Sequence, residues 1–229
     1  MTTTTSKPHF PPATDEALAH TLREGVQALG LQLSEAQQAK LLAYQALMAK
    51  WNKVYNLTAL REPAQMMTHH LLDSLAAVSA FANARQVLDV GAGGGLPGIV
   101  LAIWAEEAFP EMHVSMVDVV HKKTAFLTQA KAELHLGNVS VYTDRVENLP
   151  LKQHFDVITS RAFAELHDFV DWSQHLLAPG GQFIALKGLL PEQEMDRLPE
   201  GWQVARITPL TVPGLSASRH LIFIERKSA

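Results

Sequence analysis

The residues best suited to chemistry stand in one stretch, where a short apolar run ends in a turn dense in glycine. Asp89 is separated by one residue from Gly91, and Gly93, Gly94 and Gly95 follow after Ala92. Glycine adopts backbone angles closed to other residues, and it has no side chain to keep a ligand away from the main chain. A nucleotide-like group therefore has room to lie directly on this turn.

The Asp-x-Gly-x-Gly-x-Gly form of the turn is typical of sites for S-adenosylmethionine. This cofactor has no pyrophosphate, so the next helix need not face a phosphate, and an acid near the turn can accept from the cationic amino-acid moiety. We therefore predict cofactor contacts at Asp89 and Gly93. The glycines also fit the dinucleotide fingerprint, either as Gly91-x-Gly93 with Leu96 in the third place or as a spacing that begins at Gly93. A nicotinamide-dependent oxidoreductase remains an alternative.

Strands and helices alternate after the glycine turn, which predicts a parallel sheet covered by helices on both faces. Val87, Leu88 and Val90 belong to the first strand, and Pro97 suits the first position of the following helix. Segments 202–211 and 219–225 are both strand-like, which predicts an antiparallel hairpin at the sheet edge. The other predicted strands are 113–118, 139–142, 155–160 and 183–187, with helices at 121–136 and 165–177 and a turn at 179–181.

Three amphipathic helices precede the first strand. The first covers 14–30, the second opens at Ser34 with the spacing of a capping box, and the third begins at Pro63 and carries one apolar face through Phe81. We predict an α/β fold with a seven-stranded, Rossmann-like S-adenosylmethionine-dependent methyltransferase sheet, a C-terminal antiparallel hairpin and an N-terminal helical cap. The expected organisation is a disordered tail at 1–13, the cap at 14–82 and the methyltransferase domain at 83–229, with cap and domain forming one compact unit.

Composition restricts the class of protein. A chain of 229 residues with 47% hydrophobic and 18% charged residues predicts one main domain, and it contains no apolar run of membrane-spanning length. The absence of cysteine excludes disulfides, thiolate metal sites and a cysteine nucleophile, and it predicts a cytoplasmic location. A formal net charge of −4 argues against nucleic-acid binding by the overall field, so any RNA contact must come from a local basic patch.

In a doubly wound sheet the ligand lies beyond the carboxyl ends of the strands, where the strand order reverses. Asp118 ends the second strand and is placed to accept from both ribose hydroxyls. Val146 and Glu147 follow the third strand and are predicted to border the adenine, with an ordinary surface loop as the alternative. Arg161 and Phe163 follow the fourth strand, beside the methyl group, and indicate an electron-rich planar or anionic acceptor.

Six segments of the sequence carry a more specific signal. They are Trp51-Asn-Lys-Val-Tyr-Asn-Leu-Thr58, His70-Leu-Leu-Asp-Ser74, Asp89-Val-Gly-Ala-Gly-Gly-Gly-Leu-Pro-Gly98, Ser160-Arg-Ala-Phe163, Leu186-Lys-Gly188 and Arg219-His220. Together they resemble the glucose-inhibited division protein B family, the bacterial 16S ribosomal RNA guanine-N7 methyltransferases of the small-subunit methyltransferase G type. The similarity extends over residues 40–226 in the order of the family. The glycine turn itself differs, because relatives often carry Gly-Thr-Gly-Pro-Gly or Gly-Ser-Gly-Ala-Gly there.

The resemblance implies methyl transfer from S-adenosylmethionine, with S-adenosylhomocysteine as product, to N7 of one guanine in a loop of 16S rRNA. The expected partner is 16S rRNA within the 30S subunit or an assembly intermediate, with no membrane and no metal. The resemblance implies cofactor contacts at Gly91, Leu96, Val146, Glu147 and Arg161. It also makes five basic residues candidates for RNA binding, namely Lys122, Lys123, Arg145, Lys187 and Arg219.

Guanine N7 carries a lone pair and no proton, so this transfer requires no general base. Alignment of the two reactants is the main demand, and holding reactants in attack geometry can lower a barrier by roughly 7–11 kcal/mol. We therefore expect Arg161 and Phe163 to position the base, with Lys187 and Arg219 nearby for phosphate or guanine O6.

Other patterns are weaker. His69, His70 and Asp73 do not predict a metal site, because adjacent residues of a helix point about 100° apart; instead His70 and Asp73 are expected to hydrogen-bond the cap to the catalytic domain. Ser216 lies in the predicted hairpin and not in the strand-to-helix turn of a hydrolase nucleophile. A methyltransferase with a non-rRNA acceptor, and a cofactor-binding regulator without catalysis, remain alternatives.

Overall fold

A computed structural model of the chain describes residues 15–227, and the tail predicted at 1–13 lies outside the described residues. Two helices open this part of the chain, α1 at Asp15–Ala28 and α2 at Glu35–Tyr55. The capping box predicted at Ser34 is confirmed, because the Ser34 hydroxyl accepts from the Gln37 N–H at 3.2 Å while the Gln37 side chain accepts from the Ser34 N–H at 3.0 Å. Two orphan donors at the start of α2 are thereby satisfied.

The third helix begins at Pro63 as predicted, but it is not uniform. Its sections are α3 at Pro63–Met66, a π-helical turn at Met67–Leu72 and α4 at Asp73–Leu75, with a 3₁₀ turn at Val78–Phe81. A π turn inserts an extra residue into the helical repeat and changes the direction in which the following side chains point. The apolar face predicted here is nevertheless buried, since Met67 and Leu71 are fully inaccessible.

Seven strands form one sheet in the order β3-β2-β1-β4-β5-β7-β6, so the predicted sheet and its terminal hairpin are confirmed. The first five strands run parallel, and β7 is antiparallel to both β5 and β6. The strand order reverses between β1 and β4, which places a ligand site at the carboxyl ends of these strands. The strands are β1 Gln86–Val90, β2 His113–Asp118, β3 Val139–Thr143, β4 Phe155–Arg161, β5 Leu177–Lys187, β6 Trp202–Leu210 and β7 Arg219–Arg226.

Helices connect the strands on both faces of the sheet. They are α5 Gly98–Ala108, α6 His121–Glu133, a 3₁₀ turn at Val146–Asn148, α7 Leu166–Ser173 with a 3₁₀ turn at Gln174–Leu176, and α8 Glu192–Met195. The predicted helix at 165–177 is thus shorter than expected, and the short α8 was not predicted. None of the helices in residues 15–227 is long and apolar enough to cross a membrane.

Two local predictions were wrong. Pro97 is not the first residue of α5 but its N-cap residue, preceded by a cis peptide bond, and the helix starts at Gly98. The turn predicted at 179–181 lies inside β5: from the Phe155–Leu177 pair to the Val157–Gln182 pair, β4 advances two residues and β5 advances five. Gly180, at φ +76°, permits this bulge.

Two hydrophobic clusters cover the two faces of the sheet. One joins the helices that precede β1 to α5 and α6, and it includes Leu22, Tyr44 and Ile99, all fully buried. The other packs α7 against the opposite face, around Phe169 and Phe183, and it includes Ile222 and Ile224 of β7. Burial of each side chain of this size contributes roughly 1.5–3 kcal/mol to the stability of the fold. Packing on both faces therefore fixes the positions of the strands whose ends form the site.

Candidate active site

The glycine turn after β1 is held by the main chain and side chain of β2. The N–H groups of Gly91 and Ala92 donate to the Val117 carbonyl at 2.9 and 3.1 Å. The Gly93 N–H donates to Asp118 Oδ2 at 2.9 Å. Gly91, at φ +67°, also has the Phe163 ring against it, since a Cβ added there would lie 2.2 Å from Phe163 Cδ2. The turn therefore requires glycine for its backbone angle and for a close side-chain approach.

Asp89 lies beneath this turn and is fully buried. Its Oδ2 accepts from the Gly98 N–H at 2.9 Å, at the start of α5. Burial raises the pKa of the Asp89 carboxyl to about 7, although the Gly98 N–H and Arg161 act in the opposite direction. Asp89 does not line either of the two cavities described below. In the structure this acid joins β1 to α5, and contact with a ligand remains a prediction.

Two adjoining cavities open at the carboxyl ends of the strands, one of about 630 Å³ and one of about 310 Å³. Gly91, Lys123 and Ala162 line both of them. Volumes of this order are usual for small-ligand sites. Residues on the first cavity include Gly93, Leu96, Arg161, Lys187, Arg219 and the cap residues Thr58, His70 and Asp73; the second includes Asp118, Arg145, Val146, Glu147, Phe163 and Trp172.

The second cavity brings together the residues predicted to hold a nucleoside. The Asp118 carboxylate is almost inaccessible, and Val146, which is also buried, lines the same cavity. Glu147 pairs with Arg145 at 2.7 Å, and this pair lies at the rim of the cavity. One acid, apolar walls and exposed main chain together suit a ribose and a purine base.

Phe163 belongs to this same cavity. It was predicted to position the acceptor base, but its ring packs edge-on against Trp172 with centroids 5.9 Å apart. It also packs under Gly91. The structure thus places Phe163 on the second cavity and Arg161 on the first. The chain turns between them at Ala162, whose φ is +54°, whereas in a continuing strand residues 161 and 163 would lie on the same face.

Cationic side chains line the first cavity. Arg161 ends β4, Lys187 ends β5 and Arg219 begins β7, so the parallel and antiparallel strands deliver their basic residues to one edge. Lys123 lies between the two cavities, and its Nζ is 3.6 Å from Asp118 Oδ2. Lys122 is exposed and lines neither cavity, so the structure does not bring it to this group.

These basic side chains already have protein partners. Lys187 Nζ lies 2.7 Å from Glu194 Oε2 on α8 and donates to the Ala164 carbonyl at 3.1 Å. Arg161 and Arg219 both donate to Asp73, at 3.1 and 2.7 Å. The predicted link from Asp73 to the catalytic domain is therefore confirmed.

His70 takes part in the same link. Its Nε2 lies 2.8 Å from Thr58 Oγ1, and its Nδ1 lies 3.3 Å from Arg161 Nη2. Burial, followed by the charge of Arg161, lowers the pKa of His70 to about 4. The ring is consequently neutral near pH 7 and adds no third positive charge beside the two arginines.

Tyr44 on α2 is a site residue that the sequence did not indicate. Its hydroxyl donates to the carbonyl of Gly94, so a cap helix contacts the glycine turn directly. Burial raises the pKa of Tyr44 well above its usual value of 10, which keeps the hydroxyl a donor. Since Tyr44 lies on an apolar stripe of α2, its sequence environment resembles that of an ordinary core residue.

Solved structures share this architecture. A putative O-methyltransferase from Klebsiella pneumoniae superposes with a TM-score of 0.57 at 13% identity, over 93% of this chain and 99% of that one. An O-methyltransferase from Bacillus cereus, solved in complex with SAH, superposes with a TM-score of 0.56 at 18% identity, over 93% and all of the respective chains. The chain thus has the Rossmann-like methyltransferase fold.

Sequence comparison narrows this class. The family model GidB, described as rRNA small subunit methyltransferase G, matches residues 37–222, and the chain belongs to this family of methyltransferases. A protein of Janthinobacterium sp. (strain Marseille) named Ribosomal RNA small subunit methyltransferase G is 70% identical, over 92% of this chain and 96% of its own. A protein of the same name from Ralstonia nicotianae is 57% identical, over 91% and 96%. The resemblance seen in the six sequence segments is confirmed.

Proposed function

We propose that this methyltransferase transfers the methyl group of S-adenosylmethionine to N7 of a specific guanine in 16S rRNA of the small ribosomal subunit. Membership of the family supports the substrate class. The observation that carries the proposal is the joined pair of cavities, with an acid and apolar walls on one side and Arg161, Lys187 and Arg219 on the other. One side suits a nucleoside cofactor and the other an electron-rich acceptor.

The residues present fit S-adenosylmethionine. Asp118 keeps a nearly buried carboxylate facing the second cavity, which suits two ribose hydroxyls. At Gly93, with φ +56°, the nearest atom to an added Cβ is the Gly91 carbonyl oxygen at 3.8 Å, so the main chain is open to a ligand at that point. Val146 and Phe163 supply apolar surface for the adenine. Gly91, Leu96, Glu147 and Arg161 complete the proposed cofactor contacts, with Asp89 supporting the turn from below.

When bound, the cofactor supplies the methyl group. The chain's own contribution is to hold the acceptor in line and to exclude water, because guanine N7 offers a lone pair without a proton to remove. His70 suits this chemistry, because its pKa of about 4 and its contacts with Thr58 and Arg161 leave a neutral, structurally engaged ring. Alignment of this kind can lower the barrier by roughly 7–11 kcal/mol.

RNA contact is assigned to a local basic patch, because the net charge of the chain is −4. Lys123, Lys187 and Arg219 line the cavities, and Arg145 extends from the rim with 63% of its side chain exposed. The exposed Lys122 next to Lys123 would extend the patch outward. Each such contact to phosphate is weakened by salt, so binding should fall as ionic strength rises.

We also infer that the cap at 14–82 and the domain at 83–229 act as one unit. The cap supplies Thr58, His70 and Asp73 to the first cavity, and Tyr44 holds the glycine turn through Gly94. One hydrophobic cluster includes residues from both parts of the chain. The acceptor site is therefore formed jointly by the cap and the sheet.

Labelled S-adenosylmethionine incubated with naked 16S rRNA, with 30S subunits and with RNA-free protein extract tests the proposal. We expect label only in 16S rRNA, and borohydride–aniline cleavage should then map it to one N7-methylguanine. Lys187→Ala should reduce the rate, whereas Lys152→Ala, an exposed lysine outside both cavities, is the matched control. Label in protein or small molecules, with unlabelled rRNA, would refute the proposed acceptor.

A further inference from the structure

Three elements that are distant in the sequence meet at one carboxylate beside the first cavity. Asp73 on α4 accepts from Arg219 Nε of β7 through Oδ1 at 2.7 Å. The same carboxylate accepts from Arg161 Nη1 of β4 through Oδ2 at 3.1 Å. Each carboxylate oxygen thus accepts from one arginine. Asp73 thereby joins α4 to β4 and β7, the two strands that flank β5.

The contacts of Asp73 with the two arginines are largely shielded from water. Only 5% of the Asp73 side chain is exposed, against 20% of Arg161 and 22% of Arg219. A carboxylate that is nearly out of water and shared by two partly buried cations holds them at a fixed separation. Without it, two like charges would face each other across the cavity and separate.

The arginines keep capacity for a further partner. Arg161 Nη1 also donates to the His69 carbonyl at 3.0 Å, and Arg219 Nη1 donates to the Ser218 carbonyl at 2.8 Å. Arg219 Nη2 donates to no protein group within residues 15–227. Since both arginines line the cavity, they present a paired positive surface toward its interior.

We infer that Asp73 is a positioning residue of the acceptor side: it holds the guanidinium groups of Arg161 and Arg219 together as one two-armed site for an anionic or electron-rich oxygen of the RNA, either a phosphate oxygen or guanine O6. This inference rests on the proposed function, which assigns the RNA to the first cavity. Asp73 contacts neither reactant and acts through the arginines.

Asp73→Asn tests the inference, because an amide offers one acceptor oxygen and cannot serve both arginines. With 30S subunits as substrate, we expect KM to rise about tenfold. Affinity for S-adenosylhomocysteine should fall by less than this, because only one of the two arginines, Arg161, is a proposed cofactor contact. Asp73→Glu, which keeps the charge, should have a KM close to that of the wild type. Asp156→Asn is the matched control, since Asp156 accepts from the Arg85 and Gln86 N–H groups at the other end of β1.

A mutant cycle measured in KM distinguishes a positioning role of Asp73 from a general loss of protein stability. Adding Asp73→Asn to the Arg161→Gln, Arg219→Gln variant should leave KM unchanged, because the groups that Asp73 acts through are already gone. An unaltered KM in Asp73→Asn, or an independent multiplicative effect in the triple variant, would overturn the inference.

The result remains decisive if Asp73→Asn does not fold. The effects of Arg161→Gln and Arg219→Gln on the logarithm of KM should then be non-additive, because one carboxylate couples the positions of the two arginines. Strict additivity of these effects would refute the coupling. The proposed function fails by a different result, namely absence of methyl transfer to 16S rRNA by the wild-type protein.

Discussion

The carboxylate of Asp118 accepts from the Gly93 N–H at 2.9 Å, so the acid that ends β2 holds the turn that follows β1. Its second oxygen accepts from the Val120 N–H at 2.9 Å, at the start of α6. The side chain is 5% exposed and also lines the second cavity. A single carboxylate therefore shapes the glycine turn and faces the proposed ribose position.

Asp118→Asn should weaken binding of S-adenosylhomocysteine by about tenfold or more, because charge-assisted hydrogen bonds contribute roughly 1.5–3 kcal/mol. An amide supplies only one acceptor oxygen for the N–H groups of Gly93 and Val120. Calorimetric titration measures the affinity, with Asp171→Asn on the exposed surface of α7 as control. Unchanged affinity in Asp118→Asn would contradict the ribose assignment.

Gly91→Ala should destabilise the protein by about 3 kcal/mol or more, because it combines backbone strain with a clash. Gly30→Ala is the matched control: both glycines have φ +67°, but an added Cβ at Gly30 meets nothing within 4 Å, whereas at Gly91 it meets Phe163 at 2.2 Å. Gly30→Ala should cost about 1 kcal/mol. Urea unfolding measures both, and equal losses would show that Phe163 does not pack against the turn.

Phe163→Ala should act on cofactor binding and not on RNA binding. The ring lies in the second cavity against Trp172 and Gly91, away from Arg161. We expect affinity for S-adenosylhomocysteine to fall by about tenfold, the loss that follows when 1.4 kcal/mol of apolar contact is removed, with KM for 30S subunits nearly unchanged. A selective rise in KM for 30S subunits would instead show that Phe163 contributes to binding of the RNA acceptor.

Stability should fall on acidification because of His70. Burial and the Arg161 charge lower its pKa from 6.5 to about 4, so the unfolded chain binds the proton more readily than the folded protein. The stabilisation that depends on the neutral ring is complete above pH 6.5 and is lost as the pH falls toward 4. The full difference is about 3 kcal/mol.

Urea unfolding over this pH range compares the wild type with His70→Gln, in which an amide replaces the imidazole. The variant should lose less free energy of unfolding between neutral and acidic pH, since glutamine does not titrate. Parallel curves for the two proteins would mean that His70 does not account for the acid sensitivity. His154→Gln, at an exposed histidine, controls for the loss of a histidine as such.

Most of the sheet could be predicted because the strand signals are local. Segment 113–118 was predicted to its observed bounds, since an apolar run there ends in Asp118. The bulge at Gly180 was assigned to a turn, because the Pro-Gly-Gly sequence does not show that β4 continues to pair across it. Propensity describes the local chain, whereas pairing depends on a strand elsewhere in the sequence.

The sequence indicated which residues lie at the strand ends but not which side chains pair there. The strand-end rule led to Asp118 and Arg161, and both line the cavities. It did not show that Arg161 and Arg219 share Asp73, because those contacts span 88 and 146 residues. Nor did it separate Phe163 from Arg161, because the side on which each lies depends on the path of the chain after β4.

The hydrophobic cluster that joins Leu22 and Tyr44 to Ile99 makes α1 and α2 part of the core on which the methyltransferase sheet packs. A truncated chain beginning at Arg85 would leave α5, whose residues from Gly98 to Ala105 are all buried in the structure, with an uncovered apolar side. Such a fragment should self-associate instead of serving as a minimal catalyst. Substitutions that remove buried side chains of these helices, such as Leu22 or Tyr44, should consequently alter turnover as readily as changes beside the glycine turn.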